Sequence, residues 1–590
     1  MDAAAPNMER QKVLVLGDDT RSCLTIVRSL GRRGLAVHVA PTDFRSPALR
    51  SRYIEAVVQL PAPVNDGADW TRAFEKVLRR DEFDLVIPCT DRSLLPLHAH
   101  RENFAGLTRL AIPDPEHVDI LFDKSNTRKL AESLGVNLSP AIDPRETDDP
   151  AEILARLGAP VVVKPNRSVR AEALDRQELV QIAGTPQQLQ AAMAGRLPGS
   201  YYIEAFFAGT GVGVSVLADQ GSILQAFQHH RIHQAARGGS SAYRVSARLS
   251  PELLAACESI VGRLGYTGVA MFEFRRNFQT NAWVLLEVNA RPWGSMPLAA
   301  AAGVDFPYAW YRLLVDRVQL EQRPYRQGIY GRNLDLDIAF ARKRAAELKG
   351  FSRASFAAQW VAGFTRAAIG RERLDTLVLD DAAPALRELQ ALAMQIGRFC
   401  CMRLPGYRTA RRMVTRARLR RSIRKTTAAG RNPTVAFICY GNICRSAFAE
   451  RALSSTLGDW ASDILVSSAG TYQVSGRDSP EEARLAALRC HVDLSTHRSR
   501  HVTMQLLSAA SIVIAFDRSN IEALKAQYPR IPCPVILLGE LIDTLDANGE
   551  IADPYGGGPA VFDAAFAAIE RGVAMVRRCL AESVVASSPT

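Results

Sequence analysis

A chain of 590 residues is too long for one hydrophobic core and predicts three or four domains. With 47% apolar and 23% charged residues it has ordinary globular composition, which excludes wholesale disorder, and no run reaches the roughly 18 charge-free apolar residues of a membrane span. The formal charge of +12 is concentrated: eleven Arg/Lys and no acid fall between Arg403 and Arg431, so the rest is nearly neutral and no nucleic-acid partner is expected.

The N-terminus has no basic region leading into an apolar run, so a secretory signal is not expected and the chain is predicted to be cytoplasmic. Ten cysteines are too sparse for a disulfide scaffold, and without paired CxxC motifs a structural zinc is not expected. The first element is a strand, Val13-Leu14-Val15-Leu16-Gly17, followed by a helical run to Leu30, Gly34 and a second strand, 36–40. That rhythm opens a parallel α/β sheet. Gly17 is followed by Asp18, Asp19 and Thr20, so the GxGxxG fingerprint of dinucleotide binding is missing. Another strand, Asp84 to Pro88, ends at Cys89-Thr90-Asp91, where the ligand-facing loops of such sheets lie.

Between 111 and 315 strands and helices continue. Val161-Val162-Val163-Lys164-Pro165 ends a buried strand in a lysine, and Asp123-Lys124-Ser125 begins a helix. In Leu285-Leu286-Glu287-Val288-Asn289-Ala290-Arg291, an extended strand turns Glu287 and Asn289 to one face, and Glu273 can sit on the adjacent strand. Two carboxylates and an amide oxygen form a hard-oxygen set suited to Mg²⁺ carrying a triphosphate, and Arg291 shares that face and can stabilise a transferring phosphoryl group. His229, His230 and His233 lack the spacing of a zinc site and read as ordinary strand or loop residues; Trp293 and Trp310 read as packing.

This set resembles the ATP-grasp superfamily from Val13 to about Val315, particularly carbamoyl-phosphate synthase and the carboxylate–amine ligases. The resemblance implies a Rossmann-like lobe ahead of the ATP-grasp lobes, Lys124 and Lys164 on the phosphates of ATP, Glu204 at the hinge that contacts adenine and ribose, and Glu273, Glu287 and Asn289 on magnesium. One departure stands out. After Lys164-Pro165 such proteins carry a glycine-rich flap, yet 166–181 contains no glycine. Gly238-Gly239-Ser240-Ser241, between Arg237 and Arg244, is the flexible stretch expected to cover substrate instead.

From 316 to 402 the pattern reads as mainly helical, strongest at Arg387 to Leu392. The basic stretch 403–432 reads as a solvated, self-repelling linker, with a weak contact to an acidic membrane as the alternative, since Tyr407, Met413, Val414, Leu419 and Ile423 form no clean stripe.

A fresh α/β domain begins at Pro433. Its strand Thr434 to Ile438 runs into Cys439-Tyr440-Gly441-Asn442-Ile443-Cys444-Arg445-Ser446 and then a helix. Cys, five residues, then Arg lets a loop wrap a tetrahedral dianion, with backbone N–H groups inward and a helix N-terminus behind. That positive field favours a nucleophilic thiolate; Arg445 can hold two phosphoryl oxygens, Asn442 can pin the loop, and Ser446 can hydrogen-bond the sulfur. Cleaving a phosphate ester also needs an acid for the leaving oxygen, and Asp553-Pro554-Tyr555 offers one.

The segment from Pro433 to about Leu580 resembles the low-molecular-weight protein tyrosine phosphatases. The ordered matches are residues 439–446, Ser467 to Thr471, Leu494 to Arg500, Asp517 to Asn520 and Asp553 to Tyr555. The resemblance makes Cys439 the nucleophile, Arg445 the phosphate clamp and Asp553 the acid. It puts Asn442, Ser446, Ser468 and His497 in the supporting network, and lets Cys444 trap the nucleophile as a reversible disulfide. Ala447 stands where the family has Pro, and bulky Tyr440 follows the nucleophile. Thiol arsenate reductases share the loop but need a cysteine relay, for which Cys490 and Cys533 lie in unrelated contexts.

The expected organisation is therefore α/β throughout: a Rossmann-like lobe (1–110), ATP-grasp α+β lobes (111–315), a helical extension (316–402), the linker (403–432) and a separate parallel-sheet phosphatase domain (433–585). The expected function is bifunctional, a Mg²⁺- and ATP-dependent carboxylate–amine ligase acting through an acyl phosphate and a phosphomonoester or phosphotyrosine phosphatase. The alternative is a phosphatase regulated by a non-ligating ATP-binding module.

Overall fold

In the computed structural model, which describes residues 10–61, 68–169, 174, 178–234, 241–472, 475–528, 530–542 and 549–584, the chain divides into two compact units, 1–392 and 393–590. In the first unit, the strand Lys12–Leu16 is apolar from Val13 on because it sits mid-sheet with both faces covered. It lies between Ala36–Ala40 and Leu85–Pro88, and Ile54–Val57 and Arg109–Leu110 complete five parallel strands. Next comes the helix Ser22–Gly31. The Asp19 carboxylate accepts from the N–H groups of Arg21, Ser22 and Cys23 at 2.9, 2.6 and 3.1 Å, filling the helix N-terminus that a pyrophosphate would need.

Two further sheets follow. A four-stranded antiparallel sheet runs in the order Ala141–Ile142, Tyr201–Ala205, Val161–Pro165, Gln181–Ala183. A seven-stranded sheet runs Trp283–Asn289, Gly268–Arg276, Thr210–Asp219, Ser222–Gln234, Ser241–Ala247, Tyr330–Arg332, Glu372–Leu374. Its last two strands come from 316–402, which is mainly helical as read, with Ala383–Arg403 as its longest helix. That segment also carries the helices Leu334–Glu347 and Gly350–Gly363, and it lengthens the sheet, so no structural boundary falls at 315. Three-residue strands have no legible period; burial of Arg332 holds them. Its guanidinium pairs with Glu372 at 2.6 Å and with Asp337, stacked between the Tyr243 and Phe364 rings at 3.9 and 4.2 Å. Arg28 ties the same segment to the first sheet's helix, pairing with Asp381 at 2.8 Å and donating to the Thr376 carbonyl at 2.7 Å.

The second unit is a four-stranded parallel sheet, Leu465–Gly470, Thr434–Cys439, Ile512–Ala515, Val535–Leu537. The helices Arg445–Thr456 and Pro559–Val584 pack together through stacked Phe448 and Phe566, centroids 4.1 Å apart. The linker reading of 403–432 is corrected here. Tyr407–Ala428 is a helix whose Thr415, Leu419 and Ile423, four residues apart, are buried against this unit. Arg411 pairs with Glu540, Arg416 donates to the Leu541 carbonyl at 2.7 Å and Arg420 pairs with Glu582, so part of the charge is neutralised by packing. Among the described residues no helix is long and apolar enough to cross a membrane.

Candidate functional sites

Cys439 ends the central strand of the second unit and is 3% exposed. Its Sγ lies 3.0 Å from Ser446 Oγ and 3.2 Å from the Asn442 N–H. Asn442 holds the loop together. Its φ of +52° turns the backbone sharply, and its side-chain amide donates to Ser446 Oγ at 2.9 Å and Ser468 Oγ at 2.8 Å. Its Oδ1 accepts from the Arg500 N–H at 2.7 Å, and its carbonyl oxygen is 2.7 Å from His497 Nε2. Burial, outweighing the hydrogen bond to Asn442, holds the His497 imidazole below its ordinary pKa. Gly470 must be glycine: a Cβ there would stand 2.5 Å from the Tyr440 carbonyl oxygen and 2.9 Å from the Asn442 nitrogen.

Arg445 opens the following helix, 1% exposed. It reaches the Asp517 carboxylate at 2.5 Å, the Ile551 carbonyl at 2.9 Å and the Asp553 carboxylate at 2.6 Å. Burial opposes its charge, but Asp553, Cys439 and Asp517 more than offset this and raise its pKa. The sequence-selected Cys439, Asn442, Arg445, Ser446, Ser468, His497 and Asp553 thus meet in one place. Cys444 is also buried; burial first, then the charges of Cys439 and Asp553, push its thiol far up, so it stays protonated. Three participants were missed. Glu450 accepts from Ser468 at 2.5 Å, Asp517 grips Arg445, and Arg477 donates to the Gly441 carbonyl at 2.7 Å while lying 4.2 Å over the Tyr472 ring. Only Asp517, inside a matched segment, had a signal in the sequence.

In the first unit, cross-strand register puts Glu273 directly opposite Glu287. Asn289 Nδ2 lies 3.5 and 3.4 Å from their nearer oxygens, so the two carboxylates converge on one amide. Burial raises the pKa of Glu273. For Glu287 burial acts the same way, but Lys124 and Lys164 outweigh it and keep the carboxylate charged. Lys124 Nζ is 3.5 Å from Glu287 and donates to Ser168 Oγ at 2.6 Å. Lys164 pairs with Glu204 at 2.5 Å and lies 3.4 Å from the Leu286 carbonyl. Arg291 is bonded to Asn289 Oδ1 at 3.4 Å and pairs with Asp91, the first residue of the helix that follows the strand Leu85–Pro88. The two carboxylates that meet here offer hard oxygens, which suits Mg²⁺ better than a soft metal.

Arg231 was missed: it pairs with Glu273 at 2.5 Å from the strand noted only for its histidines. Those histidines go elsewhere. His233 pairs with Asp337 at 2.5 Å and stacks on Phe340, while His229 is fully buried over Gly213, whose Cβ would collide with its ring. Burial drives the His229 pKa well below the ordinary 6.5, so the unfolded chain takes up its proton first. Stability is expected to be lost as pH falls below about 6.5, by up to about 1.4 kcal/mol per pH unit, and His229→Gln to flatten that slope in urea melts at successive pH values. Trp293 and Trp310 are buried core residues. Of the stretches discussed above, 170–173, 175–177 and 235–240, including Arg237 and Gly238 to Ser240, lie outside the described residues, whereas Arg244 is buried and pairs with Asp375 at 2.5 Å.

Residues 434–586 match the family model for low molecular weight phosphotyrosine protein phosphatase, and residues 202–335 match the model described as ATP-grasp in the biosynthetic pathway with Ter operon. The Ralstonia nicotianae protein EpsP, described as a probable low molecular weight protein-tyrosine-phosphatase, is 31% identical over 140 residues, 24% of this chain and 90% of that one. The low molecular weight protein-tyrosine-phosphatase PtpA of Staphylococcus saprophyticus is 34% identical over 123 residues, 21% of this chain and 78% of that one. Among solved structures, the biotin carboxylase domain of the Hydrogenobacter thermophilus 2-oxoglutarate carboxylase, in complex with MgADP, ADP and bicarbonate, is 16% identical with a TM-score of 0.44, covering 54% of this chain and 73% of that one.

Proposed function

Since the chain belongs, through residues 434–586, to the low molecular weight phosphotyrosine protein phosphatases and also carries an ATP-grasp domain, we propose that it is a bifunctional enzyme whose two sites both handle phosphoryl groups. In the second unit the Cys439 thiolate attacks phosphorus while Arg445 holds two of its non-bridging oxygens. As the ester P–O bond breaks, Asp553 gives its proton to the departing oxygen, leaving a cysteinyl phosphate and an alcohol or phenol. Water then attacks phosphorus, its proton passes to Asp553, and the thiolate leaves, stabilised by the Ser446 hydroxyl. The contact between Cys439 Sγ and Ser446 Oγ at 3.0 Å, over the Arg445 helix, carries this reading. Asp553→Asn is expected to slow phenyl phosphate hydrolysis by about 10²–10³-fold and p-nitrophenyl phosphate hydrolysis much less, because the better leaving group needs less proton donation. Equal slowing of both would remove Asp553 as the acid.

For the first unit the proposal is a carboxylate–amine ligase. Lys124 and Lys164 bind the phosphates of ATP, Glu204 the adenosine, and Arg291 the phosphoryl group in transfer. Glu273, Glu287 and Asn289 would hold Mg²⁺, which would supply positive charge against the triphosphate. A substrate carboxylate oxygen takes the γ-phosphoryl group, releasing ADP. An amine nitrogen then attacks the acyl carbon, loses a proton and expels phosphate. The acyl phosphate is needed because a carboxylate anion at neutral pH resists nucleophiles. The facing of Glu273 and Glu287 across two strands carries this reading. Purified protein offered a pool of carboxylates and amines is expected to release ADP in step with amide formation. ATP binding without turnover across a broad pool would favour a non-ligating module instead.

A further inference from the structure

The helix Gly350–Gly363 is turned inside out. Its inner side, with Phe356, Trp360 and Gly363, closes a cavity of about 440 Å³ over Tyr243 and Arg332. The positions that face away, Phe351, Ala354, Ala357, Ala358 and Val361, recur at helical spacing, are all exposed, and include no polar side chain. Phe351 is 88% and Val361 62% exposed, and Ile369, just beyond, 69%. An outward helix face on a water-soluble unit is normally its polar side, so a clustered apolar face of this kind marks a binding surface.

The charges around it select the occupant. From Leu348 to Arg371 there are four cations and no Asp or Glu. Lys349, Arg353 and Arg371 are exposed and form no ion pair among the described residues. A second copy would set like charges against like, whereas an anionic bilayer matches both the apolar face and its basic flanks. The face offers no polar group to orient a protein partner. We propose that the outer face of Gly350–Gly363 docks the protein on anionic lipid surfaces, with Phe351 and Val361 entering the headgroup region and Lys349, Arg353 and Arg371 contacting lipid phosphates. This surface is distinct from the basic helix Tyr407–Ala428.

The test is sedimentation of the full chain with vesicles of phosphatidylcholine alone or with about one-third phosphatidylglycerol. The chain is expected to co-sediment with the anionic vesicles and less so as salt rises, and to stay in solution with the neutral ones. Phe351→Asp with Val361→Asp is expected to cut binding about tenfold or more, and Arg353→Glu to weaken it and flatten its salt dependence. Unchanged p-nitrophenyl phosphate hydrolysis and an unchanged melting temperature show the variants to be folded. Three outcomes would overturn the proposal: no binding to anionic vesicles, equal binding by the double variant, or a lipid-free dimer of the wild-type chain that the double variant dissociates.

Discussion

Cys439→Ser is expected to lower phosphomonoester hydrolysis by about four orders of magnitude or more while leaving the loop's affinity for vanadate or inorganic phosphate within a few-fold of wild type. The two halves have separate causes. Oxygen at this position is far less acidic than sulfur, so no nucleophilic anion forms near neutral pH, and the covalent step stops. The cradle survives because it is built from other atoms: the Asn442 amide fixes Ser446 and Ser468, His497 and Arg500 hold Asn442, and Arg445 is seated by Asp517 and the Ile551 carbonyl. Stopped-flow or single-turnover assay with p-nitrophenyl phosphate measures the first half, calorimetric titration with phosphate the second. Hydrolysis at wild-type rates would remove Cys439 from the chemistry. Loss of both together would mean that the sulfur holds up the loop as well as reacting.

Glu287→Gln is expected to lower ATP-dependent ADP release by about 10²–10³-fold, and to raise the Mg²⁺ concentration needed for ATP to shift the melting temperature. The substitution preserves shape and removes one charge from a site where two lysines, Lys124 and Lys164, already face that carboxylate. Glu273→Gln should do the same. On the proposal that both groups act on one ion, the double variant should be little worse than either single one, a non-additivity that unrelated structural damage would not produce. Strictly additive losses, or ATP-induced stabilisation indifferent to Mg²⁺ in every variant, would separate these carboxylates from a shared cation. Glu287→Gln would also leave Lys124 without its carboxylate at 3.5 Å, so Lys124→Met is the control that tells loss of metal from loss of phosphate contact.

The phosphatase site was almost fully legible in the residue order. Four of its parts lie within eight consecutive positions, 439–446, and a strand–loop–helix imposes their geometry locally. What was not legible is the far wall: Arg477 belongs to it through the Gly441 carbonyl, and Glu450 through Ser468 and Arg500, contacts that no spacing announces. In the ATP-grasp unit the alternation of Glu287, Asn289 and Arg291 predicted a shared face, and the hydrogen bonds linking Asn289 to Glu287 and Arg291 agree. The Arg231–Glu273 and Asp91–Arg291 pairs join residues 42 and 200 positions apart and were invisible.

The misread linker and the two strands that the sequence did not announce share one cause. Tyr407–Ala428 reads as a solvated connector because eleven cations and no acid dominate its neighbourhood, yet Thr415, Leu419 and Ile423 fall on one helical face and find a buried surface. Tyr330–Arg332 and Glu372–Leu374 are too short to carry a period, and become strands because Arg332 and Glu372 pair in the interior and the neighbouring strand Ser241–Ala247 offers an unpaired edge. Local order therefore determined the strand-ending cysteine loop and the face-sharing carboxylates, since each depends on backbone periodicity over a few residues. Only the folded chain decided which distant charges neutralise one another and which apolar side chains remain in water, because both depend on what the rest of the chain brings alongside.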